Sequence, residues 1–370
     1  LTLLPEVSRE LQLMHLTAWW PACVALWVTV TAALMVWVAH ARQWRLMGQA
    51  SALAIPGWYW AALLGPAFSP LPPSADLGWL AWPLALCCGP WLLRRLQAWL
   101  DDSALRHLHV LGFWLMAALL CRQAQWATDQ WATPGSGWQS LCWILVPASL
   151  VLLVSSPRAA ARWPLRDFAQ SYRVAGALPL VAGLVLWLLH SLVSSGRAQP
   201  LPYVPVLNPL ELGQCLVVLT LVMWVRELPA SIQAQLPEGR TRLAALGGLA
   251  WLVITTMVLR ACHHWADVPW DASALFQSKL TQASLSVVWA LLGVGLMIRG
   301  HRQVQRAVWV AGAGLLGVVV GKLFFLELAD HGGLYRIISF IVVGLLLLVV
   351  GYFAPVPPDQ AAERAESEVP

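Results

Sequence analysis

The chain has 370 residues, of which 59% are hydrophobic and 11% charged, with a formal net charge of +5 and a mean hydropathy of +0.66. So few charges cannot cover the surface of a water-soluble globule, which excludes a soluble enzyme or binding domain and leaves an integral membrane protein. The positive balance is not a nucleic-acid signal either, because the arginines stand between apolar runs, where they set topology.

Apolar runs of about 20 residues recur, the length a helix needs to cross about 30 Å of hydrocarbon, and the alternation of a membrane barrel is missing. The expected fold class is all-α: a polytopic transmembrane helical bundle of about eleven spans. Residues 1–17 read as a short extracytoplasmic lead-in, residues 18–354 as the transmembrane domain, and residues 355–370 as a polar, proline-bounded cytoplasmic tail without order. The start at Leu1, with neither methionine nor a cleavable signal pattern, reads as a shortened chain with an upstream segment missing.

Span one is expected over Ala18–Ala39 and span two up to Leu64, with a kink at Pro56-Gly57. Span three, Leu77–Leu93, ends in Arg94-Arg95, and Asp101, Asp102 or Ser103 offers a cap for span four, which runs to Gln125. Span five is Trp138–Val154 and span six Val174–Val193, separated by an arginine-rich connection. A loop with four prolines leads to Asn208-Pro209, a helix start with proline in the first turn. Spans seven (Leu210–Val225), eight (Leu243–Ala261), nine (Leu280–Ile298), ten (Ala307–Leu328) and eleven (Ile337–Phe353) follow. The 24 tryptophans suit interfacial belts. The seven cysteines fall mostly in apolar runs, as small hydrophobes and not as a disulfide framework.

Taking loops alternately, sixteen of the 23 lysines and arginines fall on one side and seven, Lys322 included, on the other. The arginine-rich side is the cytoplasmic one, which places the chain in a bacterial inner membrane with its C-terminus in the cytoplasm. The His263-His264 and Asp330-His331 loops then share the outer face.

Candidate chemistry concentrates between Arg260 and Arg336. Lys322 lies inside span ten, where a charge is costly and marks function. Its candidate partners are Glu327, Glu211 and Asp330, and the alternative is that its stem snorkels to the interface. Glu211 also suits a helix N-terminus. Lys279, Gln282 and Ser286 form a polar stripe on span nine that must face protein or water. Ala313, Gly317 and Gly321 form a small-residue face on span ten that should seat span nine. His263, His264 and Asp267 are the candidate catalytic residues, histidine as general base, with Arg260 four residues before His264. Zinc spacings are absent, so neither a metal nor a cofactor is assigned. His107 and His109 read as membrane-boundary residues.

Pro202–Leu212, His263–Trp270, Gly321–Leu328, Arg336–Phe340 and Gly344–Tyr352 together resemble the C-terminal part of an uncharacterised bacterial family of large multi-pass membrane proteins, a domain of unknown function, over residues 200–354. Members of that family are longer, with a charged, partly coiled-coil segment and more spans upstream, and the resemblance implies no activity. The leading functional expectation is transport or handling of an anionic or amphipathic cargo, a lipid or envelope glycan. The pocket would be lined by Glu211, Arg260, Lys279, Gln282, Lys322, Glu327, Asp330, His331 and Arg336. A membrane-embedded transferase or hydrolase and a non-catalytic scaffold are the alternatives. The expected partners are membrane lipids, such a cargo, and a membrane protein or the upstream segment, with no nucleic acid.

Overall fold

The computed structural model describes residues 3–68 and 71–323, together with Ile341, Gly344, Leu345 and Leu348. Every regular element among the described residues is helical, as a chain without access to water demands of its backbone. In order they are α1 (Leu3–Arg42), α2 (Arg45–Ser51), α3 (Ala54–Phe68), α4 (Gly78–Leu96), α5 (Asp102–Asp129), α6 (Gly137–Ser155), α7 (Pro157–Ala160), α8 (Leu165–Gln170), a π-helical segment (Ser171–Gly176), α9 (Ala177–Val193), α10 (Pro209–Arg226), α11 (Ala230–Gln233), α12 (Gly239–Trp265), α13 (Ala272–Gln277), α14 (Lys279–Arg302) and α15 (Arg306–Lys322). Helix α1 is already under way at Leu3, within the expected lead-in.

Among the described residues, seven segments are long and apolar enough to cross a membrane: Trp19–Arg42 of α1, α5, α6, Leu165–Val193, α10, α12 and α14. The other four of the expected eleven are not counted among these. Helix α3 is described over 15 residues, up to the edge of the described stretch at Phe68, and α15 over 17, with residue 323 the last described before the gap, against the roughly 20 a span needs. Helix α4 has 19, but Pro83, Pro90, Arg94 and Arg95 dilute its apolar run. The eleventh expected span is described at four positions alone, and the tail lies outside the described residues. The break in the second span comes at Ala52-Leu53, so Pro56 sits in the first turn of α3, where its missing N–H costs nothing. The kink expected there is replaced by a fresh helix start.

Other starts follow the sequence closely. The Asp101 side chain caps α5 by accepting the Ala104 N–H at 3.0 Å. Asn208 caps α10 by accepting the Leu210 N–H at 2.8 Å, with Pro209 next.

The chain divides into two compact units, Leu1–Val253 and Ile254–Pro370, the division falling inside α12. In the first, α1, α3 and α4 pack through Ala25, Ala61, Ala81 and Ala85, all essentially buried. Small side chains there let backbones approach, the usual route to helix association without a hydrophobic drive between helices. A second apolar group joins α5, α6 and α9 through Phe113, Val151, Val154 and Val181, and a third joins α6, α9 and α10 through Ile144, Leu184 and Val217. Outward residues are large and apolar, such as Trp27 at 69% exposed and Leu186 at 67%, as lipid contact requires.

In the second unit α14 and α15 pack closely through Ala290, Met297, Leu316 and Val319. The backbones meet at Gly293 and Gly312: a Cβ on Gly312 would lie 2.5 Å from the Gly293 carbonyl oxygen. The expected partnership of these helices is present, and Ala313 packs against its core, but the closest approach is at Gly312. Among the described residues nothing lies within 4 Å of a Cβ built at Gly317 or Gly321. Gly312→Val should therefore lower stability by about 1–3 kcal/mol, while Gly317→Ala should leave it unchanged or raise it by up to about 1 kcal/mol. Thermal unfolding of the detergent-solubilised protein followed by circular dichroism checks both, and equal losses at the two glycines would contradict the packing.

Candidate functional site

Helix α14 opens at Ser278, whose hydroxyl accepts the Thr281 N–H at 3.3 Å. One turn later come Gln282 and Ser286, four apart and so on one face; the Ser286 hydroxyl donates to the Gln282 carbonyl at 2.9 Å. Because α15 comes back along α14, the C-terminal Lys322 arrives opposite that turn. Its Nζ donates to the Gln282 carbonyl and to Ser286 Oγ, both at 2.6 Å. An ammonium held among apolar helices is thus met by oxygens of the neighbouring helix. Lys279, expected on the same stripe, is exposed, so the sheltered stripe begins at Gln282.

Arg260 of α12 is fully buried, in the same unit as Lys322. One turn on, α12 ends in His263, His264 and Trp265, and the chain turns through Asp267, whose φ of 53° is left-handed. A carbonyl can only accept, so the 2.7 Å bond between His263 Nδ1 and the Val268 oxygen puts a proton on Nδ1. In the neutral ring that leaves Nε2 as the basic nitrogen. The His263 ring lies 4.6 Å from that of His264 and 5.7 Å from that of Trp270. No three histidine, cysteine or carboxylate side chains among the described residues converge as metal ligands. Asp271 caps α13, accepting the backbone N–H of Ser273 at 2.9 Å and of Ala274 at 3.2 Å.

Glu211 belongs to the first unit and is buried there. Its carboxylate accepts the Tyr203 hydroxyl at 2.6 Å and the Val206 backbone N–H. Val206 has a φ of 71°, costly for a β-branched residue, and the carboxylate fastens that turn to the start of α10. Asn208 adds a second tie, donating from Nδ2 to the Gly196 carbonyl at 2.7 Å. The proline-rich loop is held by the first turn of the helix it precedes. The structure thus brings together Gln282, Ser286 and Lys322, groups Arg260, His263, His264 and Asp267 at the end of α12, and places Glu211 with Tyr203 and Val206. Glu327, Asp330, His331 and Arg336 lie outside the described residues.

One cluster goes beyond the expected site. His109 is 1% exposed, stacked on Phe168 at 4.2 Å and hydrogen-bonded through Nδ1 to the Tyr172 hydroxyl at 2.8 Å. The boundary role expected for it is replaced by a buried one, because the π-helical segment turns Tyr172 toward α5. The only sequence signal was the aromatic series Trp163, Phe168, Tyr172.

Two outcomes follow. Glu211→Ala should lower stability by about 1–3 kcal/mol, the cost of stranding the donors it serves, and Glu211→Gln by less; chemical denaturation in detergent reads the difference. For Asp271, the Ser273 hydroxyl and then the Ala274 and Ser273 N–H groups hold the carboxyl below its ordinary 3.8. A lowered pKa contributes stability above the unfolded value and loses it as pH falls through the folded one. Hydrogen exchange at Ser273 and Ala274 should accelerate below pH 3.8 relative to α14 amides, and Asp271→Asn should remove that dependence.

Comparison with family models matches residues 11–357 to a family described as Predicted membrane protein (DUF2339). The match extends well beyond residues 200–354, where the resemblance was read. Comparison with curated proteins and with solved structures finds no match. The matched stretch takes in nearly the whole chain, including the Glu211 loop, the His263 turn and Lys322, and the chain belongs to the DUF2339 family of predicted membrane proteins.

Proposed function

We propose that this protein handles an anionic or amphipathic cargo, a lipid or a lipid-linked envelope glycan, at the membrane-outer face of its second unit. The observation that carries the reading is Lys322, whose ammonium is seated 2.6 Å from two α14 oxygens inside an apolar helix pair, with fully buried Arg260 in the same unit. Cations kept at such depth are expensive and mark ligand or ion pathways. Glu327, Asp330, His331 and Arg336 complete the proposed lining, with Lys279 at its exposed rim. The proposed setting is a bacterial inner membrane with the C-terminus in the cytoplasm. Charge asymmetry supports it, and leaving α3 and α4 out of the spans removes a pair, so the sides of all later loops are unchanged.

The test is transfer of fluorescent phosphatidylglycerol across phosphatidylcholine vesicles containing the protein, read by dithionite quenching. The wild type should accelerate transfer, and Lys322→Met should slow it about tenfold, the equivalent of about 1.4 kcal/mol of lost cargo interaction, with helical content unchanged. Transfer unaffected by Lys322→Met would sink the reading.

A second reading, a membrane-embedded hydrolase or transferase, is favoured by one feature: the Val268 carbonyl fixes His263 with Nε2 as its basic nitrogen, the tautomer a general base needs. It expects His263→Ala to fold yet release no product from a lipid-linked glycan, while Lys322→Met retains turnover. Neither substitution acting on either assay would leave a non-catalytic scaffold.

A further inference from the structure

The α4–α5 connection and the α6–α9 connection meet at one end of the first unit, because Phe168 and Tyr172 reach His109 on the third turn of α5. Trp163, from the same connection, stands edge-on to the His109 ring at 5.8 Å. Two atoms in this aromatic box are buried without a hydrogen-bond partner: His109 Nε2 and Trp163 Nε1. The indole nitrogen always carries hydrogen. His109 Nδ1 is taken up by the Tyr172 hydroxyl, which leaves Nε2 as the unmet nitrogen of the ring, a donor like the indole in the tautomer protonated there. Two buried nitrogens from different elements thus stand without a partner, which is costly for polar groups out of water.

The surroundings select a negatively charged acceptor. The Arg94 guanidinium lies 5.6 Å from the Trp163 ring centroid, and Arg94, Arg95, Arg106, Arg158 and Arg162 are exposed on or beside these connections, with Arg166 paired to Asp167 at 3.0 Å. Arg94 has the reach to leave the indole face and meet a ligand bidentately, the geometry that suits guanidinium to phosphate. We propose that His109 and Trp163, backed by Arg94, bind a phosphate group, with His109 Nε2–H and Trp163 Nε1–H donating to its oxygens. The site is in the first unit and is independent of Lys322. Its occupant carries a phosphate oxygen, either in a lipid headgroup or as free phosphate.

Phosphorus NMR titration of the detergent-solubilised full chain tests this, with dihexanoyl phosphatidic acid in one arm and inorganic phosphate in the other. Saturable binding is expected in at least one arm. Binding of the short-chain lipid alone assigns a headgroup; binding of inorganic phosphate as well assigns the free ion. Trp163→Phe keeps the aromatic wall and removes one donor, and should weaken binding about tenfold, as should His109→Gln. If His109→Gln fails to fold, Trp163→Phe alone decides. Saturable binding in neither arm, or wild-type affinity in Trp163→Phe, overturns the proposal and leaves the two nitrogens to water.

Discussion

A group buried in hydrocarbon has no water to turn to, so the chain itself has to supply hydrogen-bonding partners wherever it can. Six indoles show how that constraint is used. Trp58 donates to Thr29, Trp138 to the Ala198 carbonyl, Trp187 to that of Ser140 and Trp289 to Thr255. Trp114 and Trp224 donate to the carbonyls of Gly176 and Arg173, both in the π-helical segment. That segment shifts its own backbone pairing, and the two indoles take up carbonyls that the shift presents. The tryptophans act as cross-links between helices as well as interfacial residues.

The same constraint explains why charged residues sit where they do. Arg173 ties three elements, donating to the Val154 carbonyl at 2.9 Å and pairing with Glu227 at 3.4 Å, at the arginine-rich end of the first unit. Glu211 does comparable work on the proline-rich loop by taking the Val206 N–H and Tyr203 hydroxyl. Lys322 differs in place: its ammonium is seated on a carbonyl and a serine hydroxyl of α14 inside a helix pair, whereas Arg173 ties loop ends together. The cargo reading is attached to that seating and a structural one to Arg173.

What the sequence made legible depended on how local the cause was. Asn208-Pro209 and Asp101 announce helix starts because a cap and a first-turn proline act within three residues. The polar face at Gln282 and Ser286 was readable for the same reason. The break at Ala52-Leu53 was not, because hydropathy along the second span does not reveal it; seven spans are found among the described residues. Of the Ala313, Gly317 and Gly321 line expected for the seam between α14 and α15, Ala313 packs in it, but several glycines share each small-residue spacing and only docking shows that Gly293 and Gly312 meet. His109 and Tyr172 lie 63 residues apart, and no single-chain pattern links them.

The account rests most on the docking of Lys322 against α14, and a double-mutant cycle on Lys322→Met and Ser286→Ala measures that docking without reference to any cargo. Unfolding free energies of the wild type, both single variants and the double variant give the coupling between the two side chains. Direct hydrogen bonding predicts an interaction energy of about 0.5–3 kcal/mol. Additivity to within about 0.5 kcal/mol would contradict it, and with it the placement of a seated cation between these helices.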